Sequence, residues 1–182
     1  DIGSGKSHVA KLFGYPVFNA DNEVAKLYRK NRKCFFKLRR KLPKYINSFP
    51  IKKKEILKAI ADNNTNLKKI IKIVHPLVRF NMNKFLKKNN NKKYVVLDIP
   101  LLLENKINKK KDILVFVQSQ KSEVLKRLKK RSNFNKKLLN KFKLLQLPLD
   151  YKKKKSHFII KNDFTKKTIN TNIKYILQKI KQ

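Results

Sequence analysis

The chain has 182 residues, 41% of them apolar, and a formal net charge of +38 from 49 Lys and Arg against 11 Asp and Glu. That length supports one domain with a proper core and is too short for two of ordinary size. The single cysteine, Cys34, excludes an internal disulfide or a cysteine-based metal cluster and suits a cytoplasmic setting.

No apolar run approaches the roughly 20 residues of a membrane span, which argues against a membrane partner. The lysines are spread along the chain among Asn and Ile instead of gathered on one element, which argues against a specific nucleic-acid partner. Lys, Asn and Ile share A/T-rich codons, so a coding bias accounts for all three, and only weak adhesion to polyanions at low salt is expected.

The chain opens on Asp1-Ile2-Gly3-Ser4-Gly5-Lys6-Ser7 and runs into an apolar-periodic helix through Val9, Leu12 and Phe13. Gly5-Lys6-Ser7 ends a G-x-x-x-x-G-K-[ST] phosphate loop, whose leading glycine would fall one residue before Asp1. Glycines let backbone N–H groups close around phosphate oxygens, and the helix that follows directs its positive end at the same anion. Ile2, Gly3, Ser4, Gly5, Lys6, Ser7 and His8 are therefore the candidate ATP cradle. Lys6 is expected to reach the β- and γ-phosphates and the Ser7 hydroxyl to ligate Mg²⁺. The plainer alternative is a glycine-rich turn that only caps a helix. A buried strand normally precedes such a loop; it is not in this sequence, and a misplaced start or a partial gene product is expected.

Pro16–Asn19 reads as a strand and Asp21 as the N-cap of a helix to about Tyr28. Residues 29–64 carry apolar positions at helical spacing, broken by Pro43 and Pro50, and read as two helices outside the sheet layer. A long amphipathic stripe runs from Leu67 to Leu86, interrupted by Pro76 just after His75. Tyr94–Asp98 reads as a fully buried parallel strand. Asp98, at its end, is where a Mg²⁺-binding carboxylate of a nucleotide-binding sheet sits, although a satisfied strand-end acid fits equally. Ile113–Val117 is another short strand, and Ser122 opens a helix with Arg127 and Arg131 one turn apart. Residues 133–155 are basic and amphipathic, with Leu138, Leu139, Phe142 and Leu145 on one face. His157–Ile160 is the last strand, and Asn162 heads the turn into a final helix from about Thr165. Strands alternating with helices after a phosphate loop argue for a three-layer α/β fold with a parallel sheet.

The ordered series resembles the dephospho-CoA kinases: Gly3-Ser4-Gly5-Lys6-Ser7, Asn19-Ala20-Asp21, His75-Pro76-Leu77-Val78-Arg79, Pro100-Leu101-Leu102-Leu103-Glu104, Arg127 with Arg131, Gln146, and Phe158-Ile159-Ile160-Lys161-Asn162. The resemblance covers nearly the whole chain. It implies a single P-loop kinase domain over 1–182, with a helical acceptor-binding region at 29–90 and a lid at about 127–152. It implies ATP-dependent phosphorylation of the ribose 3′-hydroxyl of dephospho-CoA, the last step of coenzyme A biosynthesis.

By the same resemblance Asp21 takes the proton of the attacking hydroxyl, and Lys6, Arg127 and Arg131 neutralise the transferring phosphoryl group. His75, Arg79, Pro100, Leu101 and Glu104 contact the acceptor, and Asn162 lies on the adenine side, chiefly through its backbone. Two departures stand out: the family's Asp-Ala-Asp is Asn19-Ala20-Asp21 here, and its Ala-Asp before the last strand is Ser156-His157. Another P-loop nucleoside or nucleotide kinase, or a basic nucleic-acid-binding protein with a vestigial nucleotide loop, are the alternatives.

Overall fold

The computed structural model describes residues 2–130 and 135–181. In chain order the elements begin α1 (Lys6–Leu12), β1 (Val17–Asn19), α2 (Ala20–Lys30), α3 (Arg32–Lys41), α4 (Lys53–Asp62) and α5 (Asn64–Lys88). They continue β2 (Val96–Asp98), β3 (Val115–Gln118), α6 (Lys121–Lys129), α7 (Lys136–Leu144), α8 (Leu149–Lys154), β4 (Phe158–Lys161) and α9 (Lys166–Lys179). Two compact units result, one from Asp1–Val17 with Pro100–Gln182, the other from Phe18–Ile99.

In the first unit β3 and β4 run parallel, with Val115 opposite Phe158 and Val117 opposite Ile160. The core holds Val9 of α1, Val117, Ile160, and Ile169, Ile173 and Ile176 of α9, with Leu12, Phe13, Val115 and Phe158 packed against it. Ile169, Ile173 and Ile176 recur at helical spacing, so α9 presents one apolar stripe. Each such side chain removed from water stabilises the unit by about 1.5–3 kcal/mol. The pairing of β3 and β4 extends through a side chain. The His157 N–H donates to the Leu114 carbonyl at 2.9 Å, and the Leu114 N–H donates to His157 Nδ1 at 2.9 Å. An imidazole thus supplies the acceptor that a strand backbone would, which leaves its proton on Nε2.

In the second unit α5 packs against α2, α3 and α4. Leu27, Phe35, Leu38, Ile56, Ala59, Ile60, Ile70 and Val74 supply their buried faces. Asn31 both ends α2 and caps α3, its side chain accepting the Cys34 N–H at 2.8 Å. Cys34 is fully buried, and burial pushes its thiol up to about 11, which leaves it a small core residue with no thiolate chemistry.

Several boundaries differ from the sequence expectation. Asn19, not Asp21, caps α2: its carboxamide oxygen accepts the Asn22 N–H at 2.8 Å, and Asp21 falls in the first turn. The α5 helix runs unbroken for 25 residues with Pro76 inside it. Proline costs one backbone hydrogen bond there, and the helix packs against three others. The β2 strand is shorter than Tyr94–Asp98, and only Asp98 in it is fully buried, because β2 pairs with β1 in a sheet of two strands. Ser122 lies inside the first turn of α6, which Gln120 precedes as cap. Of the stretch 133–155, the described residues from 135 on hold two helices, α7 and α8, and Leu145 is exposed.

The loop between α3 and α4 is organised by one carboxylate. Glu55 Oε1 accepts the N–H groups of Asn47 at 2.9 Å and Ser48 at 3.1 Å; Oε2 accepts the Lys52 N–H at 2.9 Å and the Ser48 hydroxyl at 2.9 Å. Burial alone would raise its pKa, but these hydrogen bonds outweigh it and hold the carboxyl below its ordinary value. Glu55→Gln is expected to destabilise the protein by about 1–2 kcal/mol near neutrality. A depressed folded pKa means stabilisation that is present above the ordinary carboxylate range and lost as pH falls through the folded value. Denaturant melts across the acid limb should therefore show wild type and variant converging; a gap that does not change with pH would contradict this assignment.

Candidate active site

The loop before α1 is shaped by two glycines with φ of +83°, Gly3 and Gly5. That left-handed conformation suits glycine and strains other residues. Gly5 precedes α1 as its cap, and its carbonyl accepts the N–H groups of His8 at 3.0 Å and Val9 at 3.1 Å. Space enforces glycine as well. A Cβ on Gly5 would lie 2.5 Å from Asn162 Nδ2, and one on Gly3 would lie 3.0 Å from Leu128 and 3.1 Å from Val124 of α6. Lys6 is half-buried at the start of α1, with Ser7 and His8 exposed beside it and Ile2 half-buried before the turn.

Ser4, at the middle of the loop, is completely buried. Its carbonyl accepts two side-chain hydrogen bonds, from Ser119 Oγ at 3.0 Å and from Asn162 Nδ2 at 2.7 Å. Ser119 follows β3 and Asn162 follows β4, so the ends of two paired parallel strands reach one loop carbonyl. Asn162 is itself 3% exposed and held on both sides: its N–H donates to the Gln118 carbonyl at 2.7 Å and its Oδ1 accepts the Phe164 N–H at 2.8 Å.

Beside the loop lies a cavity of about 300 Å³, with Gln118, Ser119, Gln120, Lys161, Asn162 and Phe164 in its wall. The Arg127 guanidinium stacks on the Phe164 ring, 3.8 Å from its centroid, a cation–π contact. Arg131 lies outside the described residues. Residues 100–107 form a knot of turns: the Asn105 N–H donates to the Leu101 carbonyl at 3.1 Å and the Ile107 N–H to the Leu102 carbonyl at 3.1 Å. Leu101, just after Pro100, sits at φ 56°, a left-handed position uncommon for a branched side chain. The knot presents Glu104 to the segment before and within α8. Its Oε1 lies 2.7 Å from Lys152 Nζ and accepts the Leu147 N–H at 3.0 Å, and Lys152 Nζ also reaches Gln146 Oε1 at 3.4 Å.

In the second unit Asp21 is exposed in the first turn of α2, where the helix dipole favours a negative charge. Asp98 is buried at the end of β2, and its Oδ2 accepts a hydrogen bond from the Asn19 carboxamide. His75 and Arg79 stand one turn apart on α5. Burial, and then the Arg79 charge, hold the His75 pKa below its ordinary value, which favours a neutral imidazole.

Ile2 to His8 and Asn162 are thus brought together at one loop, Asp98 meets the cap that starts the helix of Asp21, and His75 lies one turn from Arg79, whose charge disfavours its protonation. Glu104 is engaged by Lys152. Sequence reasoning missed Ser119, Phe164, His157 and Lys152, and it did not foresee the bond from the Asn162 side chain to the Ser4 carbonyl. Ser119 and Asn162 had one available signal, that each immediately follows the carboxyl end of an apolar strand, where open α/β sheets place their ligand-side residues.

The Glu104 carboxyl is raised by burial but lowered more by Lys152 and by the Leu147 N–H, with a net shift below its ordinary value. Its hold on residues 146–152 is therefore present above the carboxylate range and lost as pH falls through the folded pKa. Glu104→Gln is expected to speed amide hydrogen exchange at Leu147 by about tenfold near neutrality. Unchanged exchange would leave the ion pair without a role in ordering that segment.

A family model described as dephospho-CoA kinase matches residues 1–168. The dephospho-CoA kinase of Wolbachia sp. subsp. Brugia malayi (strain TRS) is 31% identical, with 98% of this chain and 94% of that one aligned. That of Bartonella henselae is 33% identical over 87% of this chain and 84% of its own. Among solved structures, TT1252 from Thermus thermophilus superposes with a TM-score of 0.75 at 25% identity, covering 99% of this chain and 94% of that one. A dephospho-CoA kinase from Campylobacter jejuni shares the fold at a TM-score of 0.63 and 19% identity, over 97% and 91% of the two chains. The parallel strands, the glycine loop ahead of α1 and matches that extend along almost the entire sequence agree: the chain belongs to the dephospho-CoA kinase family.

Proposed function

We propose that the chain transfers the γ-phosphoryl group of ATP to the ribose 3′-hydroxyl of dephospho-CoA, giving coenzyme A and ADP. The observation that carries this reading is the loop at residues 2–8. Two left-handed glycines and a buried, doubly bonded Ser4 carbonyl precede the first turn of α1, in a chain of this family. Such a loop takes a polyphosphate, with Lys6 balancing charge on the β- and γ-oxygens. The cavity between the ends of β3 and β4 takes the base, with Phe164 in its wall.

In the transfer, the 3′-oxygen forms a bond to the γ-phosphorus while the bond to the β–γ bridging oxygen breaks, and Asp21 receives the hydroxyl proton. An exposed carboxylate is a weak base, which suffices because phosphoryl transfer depends chiefly on positioning and charge stabilisation. Arg127 and Arg131 supply guanidinium charge to the transferring group from the lid at about 127–152. The helical region 29–90 binds the acceptor, with His75 and Arg79 contributing from α5 and Pro100, Leu101 and Glu104 from the turns that follow β2.

Mg²⁺ accompanies the nucleotide in this reading. The Ser7 hydroxyl and the Asp98 carboxylate are hard oxygen ligands, and no group of three His, Cys, Asp or Glu among the described residues forms a cage of its own. That suits an ion that arrives with the nucleotide and keeps several waters. When bound it neutralises phosphate oxygens, and Ser7 and Asp98 would hold it.

The deciding experiment offers Mg²⁺-ATP with dephospho-CoA, adenosine and AMP together and identifies the products by mass spectrometry. Coenzyme A alone is expected; phosphorylation of adenosine or AMP in its place would reassign the acceptor. Lys6→Ala is expected to abolish turnover. Asp21→Asn should lower kcat by about 100-fold or more with ATP affinity retained, and an unchanged kcat would reduce Asp21 to a helix-terminus charge.

A further inference from the structure

The structure assigns Ser119 and Asn162 as a two-donor clasp that orients the Ser4–Gly5 peptide for the nucleotide; this rests on the phosphate-loop reading above and adds two positioning residues to it. A trans peptide is planar, and its C=O and N–H point to opposite sides. Fixing the Ser4 carbonyl therefore fixes the direction of the Gly5 N–H. The carbonyl is held on one side by Ser119 Oγ at 3.0 Å and Asn162 Nδ2 at 2.7 Å. The Gly5 N–H is consequently turned the other way, as a preorganised donor for a phosphate oxygen.

Three further observations make this a built device. Asn162 is 3% exposed and held at both ends, its Oδ1 accepting the Phe164 N–H at 2.8 Å and its own N–H donating to the Gln118 carbonyl at 2.7 Å, so its amide has a single orientation. Gly5 has no room for a Cβ, which would meet the same Nδ2 at 2.5 Å, so the clasp and the glycine are mutually fitted. The two donors come from the carboxyl ends of neighbouring parallel strands, whose register of Gln118 against Lys161 sets their spacing. The Ser119 hydroxyl proton and one Asn162 Nδ2–H are committed to the loop, so through these bonds they act on the nucleotide by way of the backbone.

The test measures binding of a fluorescent ATP analogue in the absence of acceptor, together with the KM for ATP, the KM for dephospho-CoA and the thermal melt of each unliganded variant. Ser119→Ala is expected to weaken nucleotide binding and raise the KM for ATP by about three- to tenfold, the loss of one hydrogen bond. Ser119→Thr, which keeps the hydroxyl, should restore both. Asn162→Asp sets a carboxylate against the Ser4 carbonyl and should weaken binding by about tenfold or more. In all three variants the KM for dephospho-CoA should stay within about twofold. A merely structural role would lower the melt and the active fraction while leaving nucleotide affinity intact. Ser119→Ala and Asn162→Asp proteins that bind the analogue as wild type does overturn the clasp. Wild-type protein that binds no analogue overturns the phosphate-loop reading itself, a distinct result.

Discussion

One backbone carbonyl organises the nucleotide side of this molecule. A glycine-rich loop is soft by composition, and softness works against a site that must hold a polyanion in one geometry. Here the loop is stiffened from outside, by the Ser4 carbonyl lodged between Ser119 and Asn162. The stiffness comes from the core beneath: Val117 and Ile160, the residues two positions before each donor, face each other in the β3–β4 ladder among the isoleucines of α9. Hydrophobic packing thereby sets the precision of a polar site, since displacing either strand would move a donor off the carbonyl.

Charge is distributed in a way that gives the few acids unusual structural weight. Against 49 cations there are 11 carboxylates, and several act as joints in loops. Glu55, Glu104, Asp112 and Asp163 each accept a backbone N–H. A lysine-rich surface repels itself, and such repulsion is strongest at low ionic strength. The joints bind locally where that repulsion would otherwise spread the loops, and Lys152 shows that a cation too can be recruited inward when an acid such as Glu104 is placed to receive it.

The alternation of strands and helices was legible because short β-branched runs such as Ile113–Val117 and spaced stripes such as that of α9 have no other economical use. The phosphate loop was legible because few sequences need two glycines around a serine before a lysine. The cap at Asn19 was missed because Asn and Asp both cap helices, and the sequence does not say which of two neighbours turns its side chain back. Pro76 misled because its local cost is visible in the sequence, whereas the packing of α5 against three other helices is not. Ser119 and the Asn162 side chain were obscured for a related reason. Their partner is a carbonyl more than 100 residues away in sequence, and a backbone acceptor leaves no mark of its own in the residue code.

Asn19 shows what such a hidden arrangement implies for the history of a sequence. Its carboxamide faces two ways, the oxygen capping α2 and the nitrogen donating to Asp98. An aspartate at this position, as in the family's usual Asp-Ala-Asp, would still cap the helix but would bring a second carboxylate against a buried one. The amide makes the contact attractive with no proton to share. Positions 19 and 98 are therefore coupled, because an acid at 19 would set two carboxylates against each other where the amide makes a hydrogen bond.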